Sequence, residues 1–198
     1  MEGRSDQDIL LWLQFKEGSR EAFAAIYEQH AAALIAYGLR LCPDQDVLKD
    51  QIQELFVELW HSRKNVAATN SIKFYLFKAL RYKLIRTEKA RISRHSKART
   101  TAVSAGYFLQ DPVETVIMER EFQQSQTAML RKAIGTLSLR QQEAIQLRYF
   151  QGFTHEEIAG LMHLNYQSVS NILYKAITSL KEIIRSPVVF LLALFSFF

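Results

Sequence analysis

The chain has 198 residues, 48% of them apolar and 23% charged, a balance that excludes an intrinsically disordered protein and leaves room for one large domain or two small ones. Seven glycines and three prolines are too few for a many-stranded sandwich with frequent turns, and the single Cys42 excludes an internal disulfide framework or a four-cysteine zinc site. The net charge of +5 admits an anionic partner without requiring one.

Apolar residues recur at helical spacing along most of the chain and no sustained alternation argues for a strand, so the expected fold class is all-α. Ser5 and Asp8 ahead of Ile9, Leu10, Trp12 and Leu13 predict a short first helix opened by a capping box. A second helix is expected from about Ser19 through Phe23, Ile26, Tyr27, His30, Leu34, Tyr37 and Leu41, ended by Cys42-Pro43-Asp44. A third spans roughly Asp46 to His61, and a fourth starts after Asn70-Ser71 and continues to about Arg91. Residues 93–112 read as a linker between two small helical domains, 1–92 and 113–185.

The second domain is predicted to open with a helix around Val113 to Ile134. Ser138 and Gln141 then form a capping box before Ile145, Leu147 and Tyr149, and Gly152 closes that helix in a left-handed conformation. Thr154 and Glu157 form another capping box, opening a short helix with Ile158, Ala159 and Leu161. After His163-Leu164-Asn165 a last long helix carries Val169, Ile172, Leu173, Ala176, Ile177 and Leu180. The apolar tail 186–198 is shorter than the ~20 residues a membrane-spanning helix needs, and packing or a protein partner is the expected role.

Three constellations carry function. The helices from Thr154 to about Lys181, joined by a three- or four-residue turn, have the layout of a helix-turn-helix. Ile158, Ala159, Val169 and Leu173 would pack the pair and leave Tyr166, Gln167, Ser168, Ser170 and Asn171 facing a major groove; the bland alternative is a helical hairpin with a polar outer face. On the third helix Ile52, Leu55, Phe56, Leu59 and Trp60 form an apolar stripe, with Asp50, Gln53, Glu54, Val57 and Glu58 on another face. Periodicity alone reads that face as a solvated acidic surface.

The third constellation lies on the fourth helix. Ten Lys and Arg between Lys73 and Arg99 face one acid, Glu88, which is the footprint of a polyanion-binding segment. Ile72, Leu76, Ala79 and Leu80 are expected in the core, leaving Phe74, Phe77, Lys78, Arg81 and Ile85 on an outer face with Lys73 nearby. Aromatic rings among cations suit single-stranded DNA, where bases stack and phosphates are held; the alternative is that Phe74 or Phe77 packs against a neighbouring helix.

The run Leu137-Ser138-Leu139-Arg140-Gln141-Gln142-Glu143-Ala144-Ile145-Gln146-Leu147-Arg148-Tyr149, followed by Gly152-Phe153-Thr154-His155-Glu156-Glu157-Ile158-Ala159, resembles the fourth conserved region of bacterial RNA polymerase sigma factors. Asp50-x-x-Gln53-Glu54-x-Phe56 is similar to that family's polymerase-binding helix. The segments Ser19-Arg20-Glu21-Ala22-Phe23 and Ser71 to Leu80 look like those of small extracytoplasmic-function sigma factors of Bacteroidetes type, which lack the third domain. The resemblance covers about Ala22 to Arg91 and Leu130 to Ile184.

It implies core RNA polymerase as a partner through Asp50, Gln53, Glu54, Val57 and Glu58. It implies promoter DNA as the second partner. The downstream element would be recognised and melted by the loop Arg63 to Asn70, with Arg63, Lys64, Asn65 and Asn70, and by Lys73, Phe74, Phe77, Lys78 and Arg81. The upstream element would be read by Thr154, Tyr166, Gln167, Ser168, Ser170, Asn171 and Lys175. Where the family usually has glycine in the turn stands His163, and Ser170 and Ile172 occupy places that are often basic, so base preference does not carry over.

An anti-sigma protein is a further candidate partner. No cofactor, metal or small-molecule substrate is expected, since His30, His61, His95, His155 and His163 form no metal-ligand pattern and no Gly-rich phosphate loop is present. The chain is therefore not expected to be an enzyme, and with no signal-peptide pattern at Met1 to Asp6 it is expected in the cytoplasm. Two other readings remain: a helix-turn-helix regulator acting without polymerase, and a helical protein-interaction module.

Overall fold

The computed structural model describes the backbone of residues 2–96 and 130–183, and the side chains of residues 6–88 and 130–183. The chain divides into two units, Met1–Ala102 and Val103–Phe198. All regular structure among the described residues is helical. The predicted helix over 113–129, the linker residues 97–112 and the tail 186–198 lie outside the described residues.

The first unit holds α1 (Glu2–Lys16), α2 (Arg20–Leu41), α3 (Gln45–Ser62) and α4 (Ile72–Ser96). Gly18, at φ +99°, makes the turn out of α1, a conformation that a side chain would strain. Ser19 then caps α2 by accepting the Ala22 N–H at 3.0 Å. Asp44 caps α3, its carboxylate accepting from the Asp46 and Val47 N–H groups at 3.1 Å each. The expected box of Ser5 and Asp8 is absent, because α1 begins earlier and both residues lie within it. Asp8 instead accepts the Ile72 N–H at 3.0 Å and Ser71 Oγ accepts the Phe74 N–H at 3.2 Å, so both cap α4. The helix α4 also runs past its expected end near Arg91, since neither glycine nor proline interrupts the sequence before Gly106.

Ile52, Leu55, Phe56 and Leu59 of α3 are buried as their spacing predicts, with Trp60 half-buried at the end of the stripe. They meet Trp12, Phe15, Ile26, Leu34, Tyr37, Leu48, Ile72, Leu76 and Leu80 in one core. Helices α2 and α3 approach so closely at Gly38 that any Cβ there would collide with the Leu48 side chain.

In the second unit a helix α5 is described over 130–135. Next come α6 (Leu139–Ile145), the wider π-helical turn Gln146–Phe150, α7 (His155–Met162) and α8 (Tyr166–Ile183). The capping boxes of Ser138 with Gln141 and of Thr154 with Glu157 both form. The expected helix to Gly152 loosens in its last turn: the Gln151 N–H bonds to the Gln146 carbonyl at 3.0 Å. Gly152 then turns at φ 70°. Leu147, Ile158, Leu161, Val169, Leu173, Ala176 and Leu180 fill this core.

Candidate nucleic-acid interface

Helices α7 and α8 meet through Ile158, Ala159, Val169 and Leu173, all buried. The turn between them runs through His163 at φ 54° and ψ 47°, a left-handed conformation that costs a non-glycine residue about 1 kcal/mol or more. Asn165 opens α8 by accepting the Ser168 N–H at 2.7 Å, a cap the residue pattern had left unassigned.

Tyr166, Gln167, Asn171 and Lys175 are exposed along the outer face, while Ser168 and Ser170 are half-buried beside them. Gln167 Nε2 donates to Asn171 Oδ1 at 3.4 Å, so these two amides pre-orient one another one turn apart. Thr154 is half-buried, and its hydroxyl oxygen accepts the Glu157 N–H at 3.2 Å. Glu156 beside it is held below the ordinary carboxyl range, first by its own backbone N–H and then by the Thr154 side chain.

Two aromatic neighbours escaped the sequence reading. Tyr174 is 73% exposed and shares the outer face of Gln167 and Asn171 at i+7 and i+3, a spacing that could have found it. The His155 ring lies 5.5 Å from that of Tyr166, a tertiary contact across the turn that no local pattern encodes.

In the first unit Lys64, Asn65, Asn70 and Lys78 are exposed, and Lys73, Phe74 and Arg81 are half-buried. Lys78 Nζ lies 6.0 Å from the Phe74 ring centroid, so a ring and a cation stand together on α4. Phe77 is a correction: it is fully buried, with its ring 4.9 Å from that of Tyr37, and cannot stack on a base. The buried stripe of α4, Ile72, Leu76, Phe77, Leu80 and Leu84, is one residue wider than a single seam, because α4 packs on both α2 and α3. Arg63 is also engaged inside the fold, its guanidinium 4.5 Å from the Trp60 ring centre and Nη1 donating to the Trp60 carbonyl at 2.8 Å.

On α3, Asp50, Gln53, Glu54, Val57 and Glu58 are all exposed. They divide into two sides. Glu54 and Glu58 turn toward α4, where Lys83 Nζ bridges them at 3.2 and 2.8 Å. Val57, 48% exposed, faces α2 and borders a groove of about 490 Å³ lined by Phe23, Tyr27, Ile35, Ile52, Phe56 and Trp60. Tyr27 and Ile35, which helical spacing grouped with the core or left unmarked, are 47% and 41% exposed there. Among the described residues no cluster of His, Cys, Asp and Glu could hold a metal ion. Nor is any helix among them long and apolar enough to cross a membrane.

Residues 127–180 match the family model for sigma-70, region 4. Over 184 residues, 91% of this chain and 95% of the relative, the sequence is 23% identical to the extracytoplasmic-function (ECF) RNA polymerase sigma factor SigK of Mycobacterium ulcerans. It is 24% identical over 182 residues to the SigK of Mycobacterium sp. (strain JLS), covering 90% of each chain. In fold it is similar to the sigma factor RpoE of Bartonella quintana, solved with the anti-sigma factor NepR, at TM-score 0.64 and 19% identity, covering 83% of this chain and 98% of that one. It is also similar to CnrH, solved with the cytosolic domain of CnrY, at TM-score 0.59 and 17% identity over 91% of this chain and 98% of that one. The helix-turn-helix unit thus carries the sigma-70 region 4 match, and the chain is similar along nine-tenths of its length to extracytoplasmic-function sigma factors.

Proposed function

We propose that this sigma factor divides transcription initiation between three surfaces: the open face of α3 for core RNA polymerase, the 63–70 loop with α4 for the downstream promoter element, and α8 for the upstream element. The observation that carries the reading is the contrast between the faces. Exposed Val57, Tyr27 and Ile35 beside Lys49, Asp50 and Gln53 offer a mainly apolar surface with charges of both signs, which suits a protein partner better than a polyanion. The outer face of α8 offers Gln167, Asn171 and Lys175, neutral amides and one cation, which suits base edges and phosphates.

Lys64, Lys73, Lys78 and Phe74 serve the melted strand, by ring stacking and phosphate contact. Melting is powered by binding and not by a covalent step, so the chain acts without enzymatic activity of its own, in the cytoplasm where polymerase works. An anti-sigma protein covering the α2/α3 groove would hold it inactive.

Runoff transcription with core polymerase on a promoter library tests the reading. Transcripts are expected only when this chain and core polymerase are both present, and folded Asp50→Ala/Glu54→Ala is expected to weaken core binding. Sequence-specific binding of duplex DNA by the chain alone, with no association with core polymerase, would instead identify a stand-alone helix-turn-helix regulator.

A further inference from the structure

Three side chains of α1 stand one helical turn apart on one face, Asp8, Trp12 and Lys16. Each ends on the backbone between Val66 and the first residue of α4. Lys16 Nζ donates to the Val66 carbonyl at 2.9 Å, and Trp12 Nε1 donates to the Ala67 carbonyl at 3.0 Å. Asp8 Oδ2 accepts the N–H of Ile72, the first residue of α4, at 3.0 Å. As the α1 register rises from 8 to 16 the partners fall from 72 to 66, so the connecting segment is laid antiparallel along the helix.

The rung residues are firmly seated. Trp12 is 1% exposed, its ring 5.1 Å from Phe15 and 5.0 Å from Tyr75. Val66 is buried, whereas Lys64, Asn65, Ala67, Ala68 and Asn70 are exposed. The segment has little structure of its own: the Asn65 and Val66 N–H groups bond to the Ser62 carbonyl at 2.8 and 3.1 Å, and Thr69 Oγ1 accepts the Ser71 N–H at 3.1 Å. Such a segment would otherwise sample many conformations, and fixing each residue costs about 1 to 2 kcal/mol. Side-chain donors aimed at its carbonyls fix the backbone and leave Lys64, Asn65 and Asn70 exposed.

We propose that Asp8, Trp12 and Lys16 are positioning residues for strand recognition: they hold the 66–72 backbone so that Lys64, Asn65 and Asn70 meet the downstream element in a preset geometry. The proposal rests on the reading that this loop contacts that element. Preorganisation of this kind acts on discrimination, because a loose loop can adapt to the wrong base. The helix α1 therefore sets downstream specificity without touching DNA.

The test uses the full chain with core polymerase, on duplex and pre-melted templates and on single-base variants of both promoter elements. Trp12→Phe keeps the ring and removes the donor; Lys16→Met keeps the stem and removes the charge. Each is expected to reduce duplex-promoter activity and flatten downstream base preference by roughly threefold to tenfold, the range a lost hydrogen bond carries. Core affinity and upstream preference should stay unchanged, and Lys16→Arg should restore the wild-type pattern. Folded Trp12→Phe and Lys16→Met with downstream preference intact would overturn the proposal. Lys64→Ala and Asn70→Ala locate such a failure. If those two flatten the preference while the α1 variants do not, positioning alone falls; if none of the four does, the loop reading falls and takes the proposal with it.

Discussion

Helices α4 and α8 both carry the side chains proposed to meet DNA beside a buried stripe, yet the stripes differ in width. In α8 the buried positions are Val169, Leu173, Ala176 and Leu180, spaced by four, three and four residues, a single seam. In α4 they are Ile72, Leu76, Phe77, Leu80 and Leu84, with two neighbours in sequence buried together. The seam of α8 faces α6 and α7 from one side, whereas α4 is wedged against α2 and α3. A helix with one buried side keeps most of its circumference for a ligand. A wedged helix keeps less, and α4 leaves Phe74 half-buried and Lys78 exposed at its surface.

The largest effect that sharpens this contrast is at Phe77. Phe77→Ala should destabilise the first unit by about 3 to 5 kcal/mol, as aromatic truncation in a packed core does, while half-buried Phe74→Ala should cost about 1 kcal/mol. Denaturant unfolding of both variants measures the difference. Equal, small losses would return Phe77 to the surface and make the two helices alike.

Next in size is the outer face of α8. Gln167→Ala or Asn171→Ala should relax discrimination by about 1 to 3 kcal/mol at one base pair of the upstream element, and Lys175→Ala should weaken all variants alike and flatten the salt dependence. Because Gln167 and Asn171 bond to one another, the double variant should cost less than the two singles combined. Polymerase-bound affinities for single-base upstream variants at two salt concentrations decide it. Unaltered preferences in both single variants would remove base reading from this helix.

The smallest expected effect is at Lys83, which ties α4 to Glu54 and Glu58 of α3. Lys83 is 15% exposed but its partners are 53% and 58% exposed, so water screens the pairs. Lys83→Met should therefore cost at most about 1 kcal/mol, and the deficit should shrink as salt rises. A deficit of several kcal/mol that persists in high salt would mean that the pairs are structural, and would take Glu54 and Glu58 out of the docking face.

Much of the second unit was legible because its signals are local. Ser138 with Gln141, Thr154 with Glu157, Gly152 and His163 each act within about four residues, and all behave as their neighbours in sequence predict. The open face of α3 was legible for the same reason, since a period of 3.6 residues separates Ile52, Leu55, Phe56 and Leu59 from Asp50, Gln53 and Val57. Asp8 was misread because its partner, Ile72, is 64 residues away. Its local neighbours offered it a capping box that α1 starts too early to use.

The amino-acid sequence by itself determined the all-helical class, the caps, the helix-turn-helix and the acidic helix face, since these follow from periodicity and from bonds between near neighbours. Only the tertiary structure decided that Phe77 belongs to the core, that Tyr27 and Ile35 border an open groove, and that Asp8, Trp12 and Lys16 grip the segment before α4. Periodicity identifies an apolar face but not how many neighbours cover it. Which side chain meets which distant backbone group depends on how the helices pack, and no local pattern records that.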